Sequence, residues 1–388
     1  MTAERQELLK RVRTVVVKVG TTVLTGEGAR LDRDRILLLA GEVAGLRGRG
    51  LRVALVSSGA IGAGMGELGL TRRPETLPQL QAAAAVGQGQ LMRAYDEAFK
   101  GHGLKTGQVL LTGDDLNNRL RYLNSRHALF ALLDFGVVPI INENDTTSVE
   151  EIAFGDNDFL AAQVTNLLRA ELLVILTATD GLRRPGPDGR LGERIDVVAE
   201  VTEEVLGLAS ADGTALGRGG MASKLQAARI ATRSGEAVIV ADGRRASVLA
   251  AIFAGEPVGT LFLPSPTRMA SRKRWIAFGV RPKGKVRVDE GARRALIERG
   301  KSLLPSGILE VRGQFQRGDV VELEDGSGRV FGRGLTNYSS EEVAQVRGRK
   351  TSEIAAVLGA KPYDEVVHRD NMVILAERSA SGPRRGSP

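Results

Sequence analysis

The 388-residue chain contains no cysteine. Disulfides, thiolate metal sites and a cysteine nucleophile are therefore excluded. Histidine is nearly absent too: only His102, His127 and His368 occur, and none has catalytic company in the sequence, so a histidine general base has little support. Long apolar runs are also missing. The N-terminus, "MTAERQELLKRVRTVVVKVG", has no apolar signal-peptide core after its charges. The longest apolar stretch, "ALFALLDFGVVPII", is broken by Asp134 and Pro139 and is too short to span a bilayer. The expectation is a cytoplasmic protein without membrane contact.

Surplus positive charge is absent from the first 267 residues, which carry 30 Lys/Arg against 31 Asp/Glu. From Arg268 onward the count is 24 against 15, so the whole excess of +8 is C-terminal. Such asymmetry points to a separate basic module that could meet an anionic surface, nucleic acid above all, or to a solvated basic surface that aids solubility. A chain of this length calls for two or three domains. Residues 378–388, Arg378 followed by the low-complexity end "SASGPRRGSP", are expected to be a disordered tail.

The first 263 residues alternate short β-branched runs with longer helical patterns. Strands are expected at "TVVVKVG" (14–20), "LRVALVSS" (51–58), "QVLL", "VVPIIN", "ELLVILTAT" (171–179) and "AVIVAD" (237–242), with helices over 32–50, 78–100, 114–135 and 221–234. This alternation predicts an α/β fold, a mainly parallel sheet covered by helices on both faces. Ligands of such sheets sit at the carboxyl ends of the strands, and Lys18, Ser58, Asn142, Thr177 and Asp180 all fall there. The catalytic domain is placed at 1–264 and a linker at 265–275. A small β-rich domain follows at 276–370, with strands in "GKVRVDEG", "GDVVELED" and "GRVFGRGLTNYSS", one preceding helix and a turn at Asp325-Gly326.

Two motifs fail on inspection. Gly64-Met-Gly66-Glu-Leu-Gly69 fits G-x-G-x-x-G but lacks the acidic residue a dinucleotide site wants. Gly300-Lys301-Ser302 resembles the end of a P-loop, but Ala295 stands at its first glycine. "SSGAIGAG" (57–64) is more informative: it leaves a strand and opens a helix, so its backbone N–H groups could approach an anion closely, or its glycines could serve tight packing. Lys18 ends an otherwise apolar strand and must reach a cleft or a partner. Lys224 comes early in a helix, against the dipole preference, which hints at an anionic ligand. Asp145, Asp156, Asn157 and Asp158 cluster before a helix. An N-cap explains one or two of them, but so many like charges need a cation or ammonium between them.

Together these pieces describe phosphoryl transfer without a P-loop. Two lysines and backbone N–H groups neutralise the moving phosphate, and acids bind a positively charged acceptor and orient the lysines. A carboxylate acceptor is already ionised at pH 7 and needs no general base.

The segments "VVVKVGTTVLT", "VSSGAIGAG", "VPIINENDTTS", "FGDNDFLAA" and "GRGGMASKLQAA", in this order and spacing, resemble the amino acid kinase family and, within it, the glutamate 5-kinases. The resemblance continues through "GTLFLP", "RKRWIAFG" and "VDEGARRALIERGKSLLPSGI" into a C-terminal PUA domain, covering nearly the whole chain. It implies ATP-dependent phosphorylation of the γ-carboxylate of L-glutamate, the first step of proline synthesis. It further implies that Lys18 and Lys224 stabilise the transferred group and that Asp158 orients them. Ser58, with Gly59 and Ala60, would hold the substrate carboxylate, and Asn142, Asp145, Asp156 and Asn157 would hold the rest of glutamate. ATP would lie against Lys18, Gly20, Thr177, Ala178, Asp180, Gly217, Arg218, Gly219, Gly220, Met221, Ala222, Ser223 and Lys224. Mg2+ would ride mainly on the ATP phosphates, with no dedicated protein metal site. Proline as feedback inhibitor, a homodimer or homotetramer, and glutamyl phosphate reductase as consumer of the product are implied in the same way.

The chain departs from the resemblance at Ala178, where Asp is usual, at Arg183, where an aromatic often stands, and at Arg218, where Thr is usual. Rival readings are a related kinase for N-acetylglutamate, aspartate or a nucleoside monophosphate, and an RNA-binding or RNA-modifying protein acting through the PUA domain. An acetylated acceptor would leave the Asp145 and Asp156 cluster unexplained.

Overall fold

The computed structural model describes residues 2–25, 31–147, 157–186, 191–209, 220–265, 273, 275–359 and 362–375. The chain divides into two compact units, Met1–Arg268 and Met269–Pro388.

In the first unit the chain runs α1 (Thr2–Lys10), β1 (Thr14–Val19), α2 (Thr21–Leu24), α3 (Arg33–Gly48), β2 (Arg52–Ser57), α4 (Ala60–Glu67), α5 (Leu77–Lys100), β3 (Thr106–Leu111), α6 (Gly113–Asn117), α7 (Arg119–Asp134), β4 (Val138–Glu143), α8 (Asn157–Leu168) and β5 (Leu172–Thr177). It continues through β6 (Arg183–Pro185), β7 (Leu191–Arg194), β8 (Val197–Val198), α9 (Glu203–Gly207), α10 (Met221–Arg233), β9 (Ala237–Asp242), α11 (Val248–Phe253) and β10 (Thr260–Phe262). The main sheet has the order β3-β4-β2-β1-β5-β9-β10-β8. Pairing is parallel from β3 to β9, and β10 turns antiparallel against β9. Lys18 lies opposite Val56 on one side and Ile175 on the other, and Thr177 lies opposite Asp242. The central strands are buried along their length, as strands covered on both faces must be.

The helices begin where the local chemistry allows. Asp32 caps α3 by accepting from the Arg35 N–H at 2.9 Å. The continuous helix expected over 114–135 is divided into α6 and α7: Asn118 takes an extended backbone, and its side chain accepts from the Arg121 N–H at 3.1 Å, capping the second helix. Helices α4 and α5 meet backbone to backbone. A Cβ on Gly64 would fall 1.8 Å from the Ala83 carbonyl oxygen, and one on Gly87 1.8 Å from that of Ala60. These glycines of the rejected G-x-G-x-x-G pattern and of α5 therefore serve packing.

The second unit holds a five-stranded sheet, β12 (Ile308–Gly313), β11 (Gly284–Val288), β13 (Val320–Glu324), β14 (Val330–Thr336) and β15 (Val367–Ile374) in that spatial order. Its core includes Val286, Leu296, Phe315, Leu323, Phe331 and Tyr338. The helix expected to precede the strands, Glu290–Arg299, instead follows β11, and two short helices, Ser340–Val346 and Ile354–Leu358, accompany it. The turn at Asp325-Gly326 forms, with the Asp325 carboxylate accepting from the Ser327 and Arg329 N–H groups.

Candidate active site

Three elements converge on one carboxylate. Asp158, in the first turn of α8, is fully buried. Lys18 of β1 places Nζ 2.6 Å from its Oδ1, and Lys224 of α10 places Nζ 3.0 Å from its Oδ2. The Ser223 hydroxyl donates to the same Oδ2 at 3.0 Å. Burial alone pushes the Asp158 carboxyl up, but the charges and hydrogen bonds of both lysines outweigh it and hold the group below the ordinary carboxylate value. Lys224 near the start of α10 thus has an internal anion. Two ammonium groups share one carboxylate, so the assembly keeps a positive balance of one and remains attractive to an anion. A Cβ on Gly20 would meet the Leu176 carbonyl oxygen at 3.3 Å and lie in ordinary contact with Lys18 Nζ at 3.6 Å.

A second cluster lies one residue away. Asn157 Nδ2 sits 3.0 Å from each of three acceptors: the Ser57 carbonyl, the Ser58 hydroxyl and Asn142 Oδ1. Asn142, buried in β4, donates from Nδ2 to Gln88 Oε1 at 2.9 Å, and its Oδ1 accepts from the Glu143 N–H at 2.9 Å. One residue before Ser58, the Ser57 hydroxyl pairs with the buried Tyr95 hydroxyl at 2.9 Å. Gly59, with φ +104°, turns the chain into α4, whose first residue is Ala60. At the end of β4, burial, with the neighbouring Glu143 charge adding to it and Arg73 opposing it, pushes the Asp145 carboxyl up to about 6.

On the other side, Thr177 ends β5, Ala178 and Asp180 follow it, and Gly220 stands just before α10, which opens with Met221, Ala222 and Ser223. Asp180 is held by a two-pronged contact from Arg183, at 3.0 and 2.8 Å. Arg244, beyond β9, donates to the Ala178 carbonyl at 2.7 Å and to Asp242 at 2.9 and 2.8 Å. Asp156, Gly217, Arg218 and Gly219 lie outside the described residues.

The expected residues therefore fall into three groups at the carboxyl ends of neighbouring strands: Asn142, Asp145, Asn157 and Ser58 toward β4 and β2, Lys18, Asp158 and Lys224 at the centre, and Thr177 to Asp180 toward β9. Sequence reasoning missed Gln88, Tyr95, Ser57, Asp242 and Arg244. The signal for the first two was their seven-residue spacing on α5, which puts two polar groups on one helix face.

Residues 13–242 match the Amino acid kinase family, and residues 284–358 match the PUA domain. A glutamate 5-kinase of Syntrophotalea carbinolica is 50% identical over 371 residues, spanning 95% of this chain and 99% of that one. Another, of Citrifermentans bemidjiense, is 51% identical over 375 residues, 96% of this chain and 100% of the relative. Among solved structures, a carbamate kinase from Giardia lamblia bound to AMP-PNP matches with a TM-score of 0.49 at 17% identity, covering 66% of this chain and 100% of that chain. With a family match over its larger unit and relatives half identical along nearly its full length, the chain belongs to the amino acid kinase family, in the glutamate 5-kinase branch that carries a C-terminal PUA domain.

Proposed function

We propose that this chain transfers the terminal phosphoryl group of ATP to the side-chain carboxylate of L-glutamate, giving an acyl phosphate and ADP as the entry to proline synthesis. The observation that carries the reading is the buried Lys18–Asp158–Lys224 assembly beside the Asn142–Asn157–Ser58 cluster. The acceptor carboxylate is ionised at neutral pH, so the chain's task is to position it and to neutralise charge. Lys18 and Lys224 supply that charge, and Asp158 holds both ammonium groups in place before the substrates arrive, so little reorganisation remains for the reacting state. Ser58 and the N–H groups of Gly59 and Ala60 hold a substrate carboxylate, and Asp145 with Asn157 receives the α-ammonium group.

The nucleotide lies along Gly20, Thr177, Ala178, Asp180 and residues 217–224, with its terminal phosphate at the lysines. Both Asp158 oxygens are engaged by lysines, which fits a Mg2+ ion that keeps its waters and is carried on phosphate oxygens, where it would shield their charge. Proline, with a similar ammonium and carboxylate, competes at the glutamate cradle, and a reductase consumes the labile product. The enzyme acts as a homo-oligomer.

Trapping with hydroxylamine tests the reading, because it converts an acyl phosphate into a stable hydroxamate. With Mg-ATP, hydroxamate is expected from L-glutamate and not from N-acetylglutamate or L-aspartate, and it should vanish in folded Lys224→Ala and Asp158→Ala proteins. Hydroxamate from another acid alone would overturn the substrate.

A second reading concerns the second unit. A cleft of about 670 Å³ there is lined by Lys301, His368 and Arg369 together with Leu296, Leu303, Asp289 and Glu365. The excess of 24 Lys/Arg over 15 Asp/Glu from Arg268 onward supports RNA as a further partner. Retention of RNA that falls steeply with salt is the expected result, and failure to retain RNA at any ionic strength would reject it.

A further inference from the structure

The amide groups in the Asn157 cluster have a defined polarity. The Ser57 carbonyl can only accept, so the Asn157 atom 3.0 Å from it must be the NH2 group. The Glu143 N–H can only donate, so the Asn142 atom 2.9 Å from it must be the oxygen. That oxygen is also what the Asn157 NH2 meets at 3.0 Å, so two independent backbone anchors agree. The Asn142 NH2 is then directed at position 88, where Gln88 Oε1 accepts it at 2.9 Å. Asn142 is only 2% exposed, so without Gln88 its amide would lose that acceptor in a place closed to water.

With both protons of Asn157 engaged inside the cluster, its oxygen is the atom of that amide left for a ligand. No hydrogen bond among the described residues uses it. An amide oxygen accepts and cannot donate, so it suits a free ammonium group and repels a carboxylate.

We infer that Gln88 is a positioning residue that sets substrate specificity. By accepting from the Asn142 NH2, it reinforces the amide orientation that the Ser57 carbonyl and the Glu143 N–H set and leaves the Asn157 oxygen for the acceptor, so that the site selects an amino acid with an unmodified α-ammonium group. The inference rests on the reading of Asn142, Asp145 and Asn157 as part of the amino-acid cradle. It makes Gln88 matter for the chemistry of its acceptor atom and not for its bulk.

The test compares L-glutamate with glutarate, which has the same two carboxylates and no ammonium, in the hydroxylamine assay. Gln88→Met keeps the length and removes the acceptor; Gln88→Glu keeps an acceptor. For Gln88→Met, the KM for glutamate should rise about tenfold, as expected for a buried donor left unpaired, while the KM for ATP stays unchanged and the preference for glutamate over glutarate falls by a similar factor. Gln88→Glu should retain that preference. A Gln88→Met protein with unaltered preference would overturn the inference, as would a Gln88→Glu protein that loses it as fully as Met does. Should Gln88→Met fail to fold, Gln88→Ala, which also removes the acceptor, takes its place under the same criterion. Absence of hydroxamate from glutamate in the unaltered protein would instead refute the underlying function, so the two failures are distinguishable.

Discussion

Asn157 and Asp158 are consecutive residues that serve opposite halves of the site. Asn157 is bonded to the ends of β2 and β4, whereas Asp158 is bonded to lysines from β1 and α10. Adjacent positions at a helix start point in directions about 100° apart, so one helix terminus reaches both clusters, which under the proposed function are the acceptor and phosphate ends. Any shift of α8 therefore disturbs both clusters together.

Replacing Asp158 by Asn keeps the shape and removes the charge. Two buried ammonium groups would then lack a counterion, so a loss of about 3–5 kcal/mol in stability is expected, with kcat reduced by about 10²–10³-fold. Denaturant unfolding and steady-state kinetics measure the two effects. Because the folded carboxyl titrates below its ordinary value of 3.8, its contribution is fully present above that pH and is lost as pH falls through the lower folded value. The Asn variant should lack this acid dependence.

Asp145 behaves in the opposite sense. Its folded value of about 6 exceeds the ordinary 3.8, so the neutral form favours folding below pH 3.8 and this advantage disappears as pH rises through about 6. Ammonium binding needs the ionised form, so the KM for glutamate should climb as pH is lowered through about 6. Asp145→Asn should be more heat-stable than the unaltered protein at pH 7.5, with a high KM for glutamate that no longer varies across this range. A KM profile unchanged by the substitution would reject the assigned role.

Gly87→Ala would place a methyl carbon 1.8 Å from the Ala60 carbonyl oxygen and 2.3 Å from the Gly64 nitrogen. Backbone atoms cannot rotate away, so α4 and α5 must separate at a cost of at least about 1–3 kcal/mol. Since Ala60 begins α4 beside Ser58, the KM for glutamate should rise as well. Thermal unfolding and kinetics on the same preparation check both.

Arg244→Ala removes the donor on the Ala178 carbonyl and the partner of Asp242. The Arg244 side chain is 57% exposed, so the expected effect is small, a rise of up to about fivefold in the KM for ATP. The KM for glutamate should not move. Equal changes in both constants would show that Arg244 does not act at the nucleotide end alone.

Much of the fold was legible because a buried parallel strand needs a near-continuous apolar run, and "TVVVKV", "RVALVS", "LLVILT" and "AVIVAD" have one. Lys18 was readable for the same reason, as a charge that had no place in such a run. The break between α6 and α7 was hidden because helical periodicity continues across Asn118, and only its capping hydrogen bond reveals the new start. Strands β12 and β15 were missed because neither has a clear pattern of its own; their burial alternates imperfectly along the second sheet.

The sequence by itself determined the alternation of elements, the placement of polar residues at strand ends and the residue types available for phosphoryl transfer, because these depend on local pattern and on composition. Only the tertiary structure decided which groups meet. Lys18 and Asp158 are 140 positions apart along the chain, and Gln88 and Asn142 are separated by 54. Parallel strands paired through long crossovers bring such residues together, and hydrogen-bond direction, which is set by backbone groups fixed in that pairing, assigns each amide its polarity.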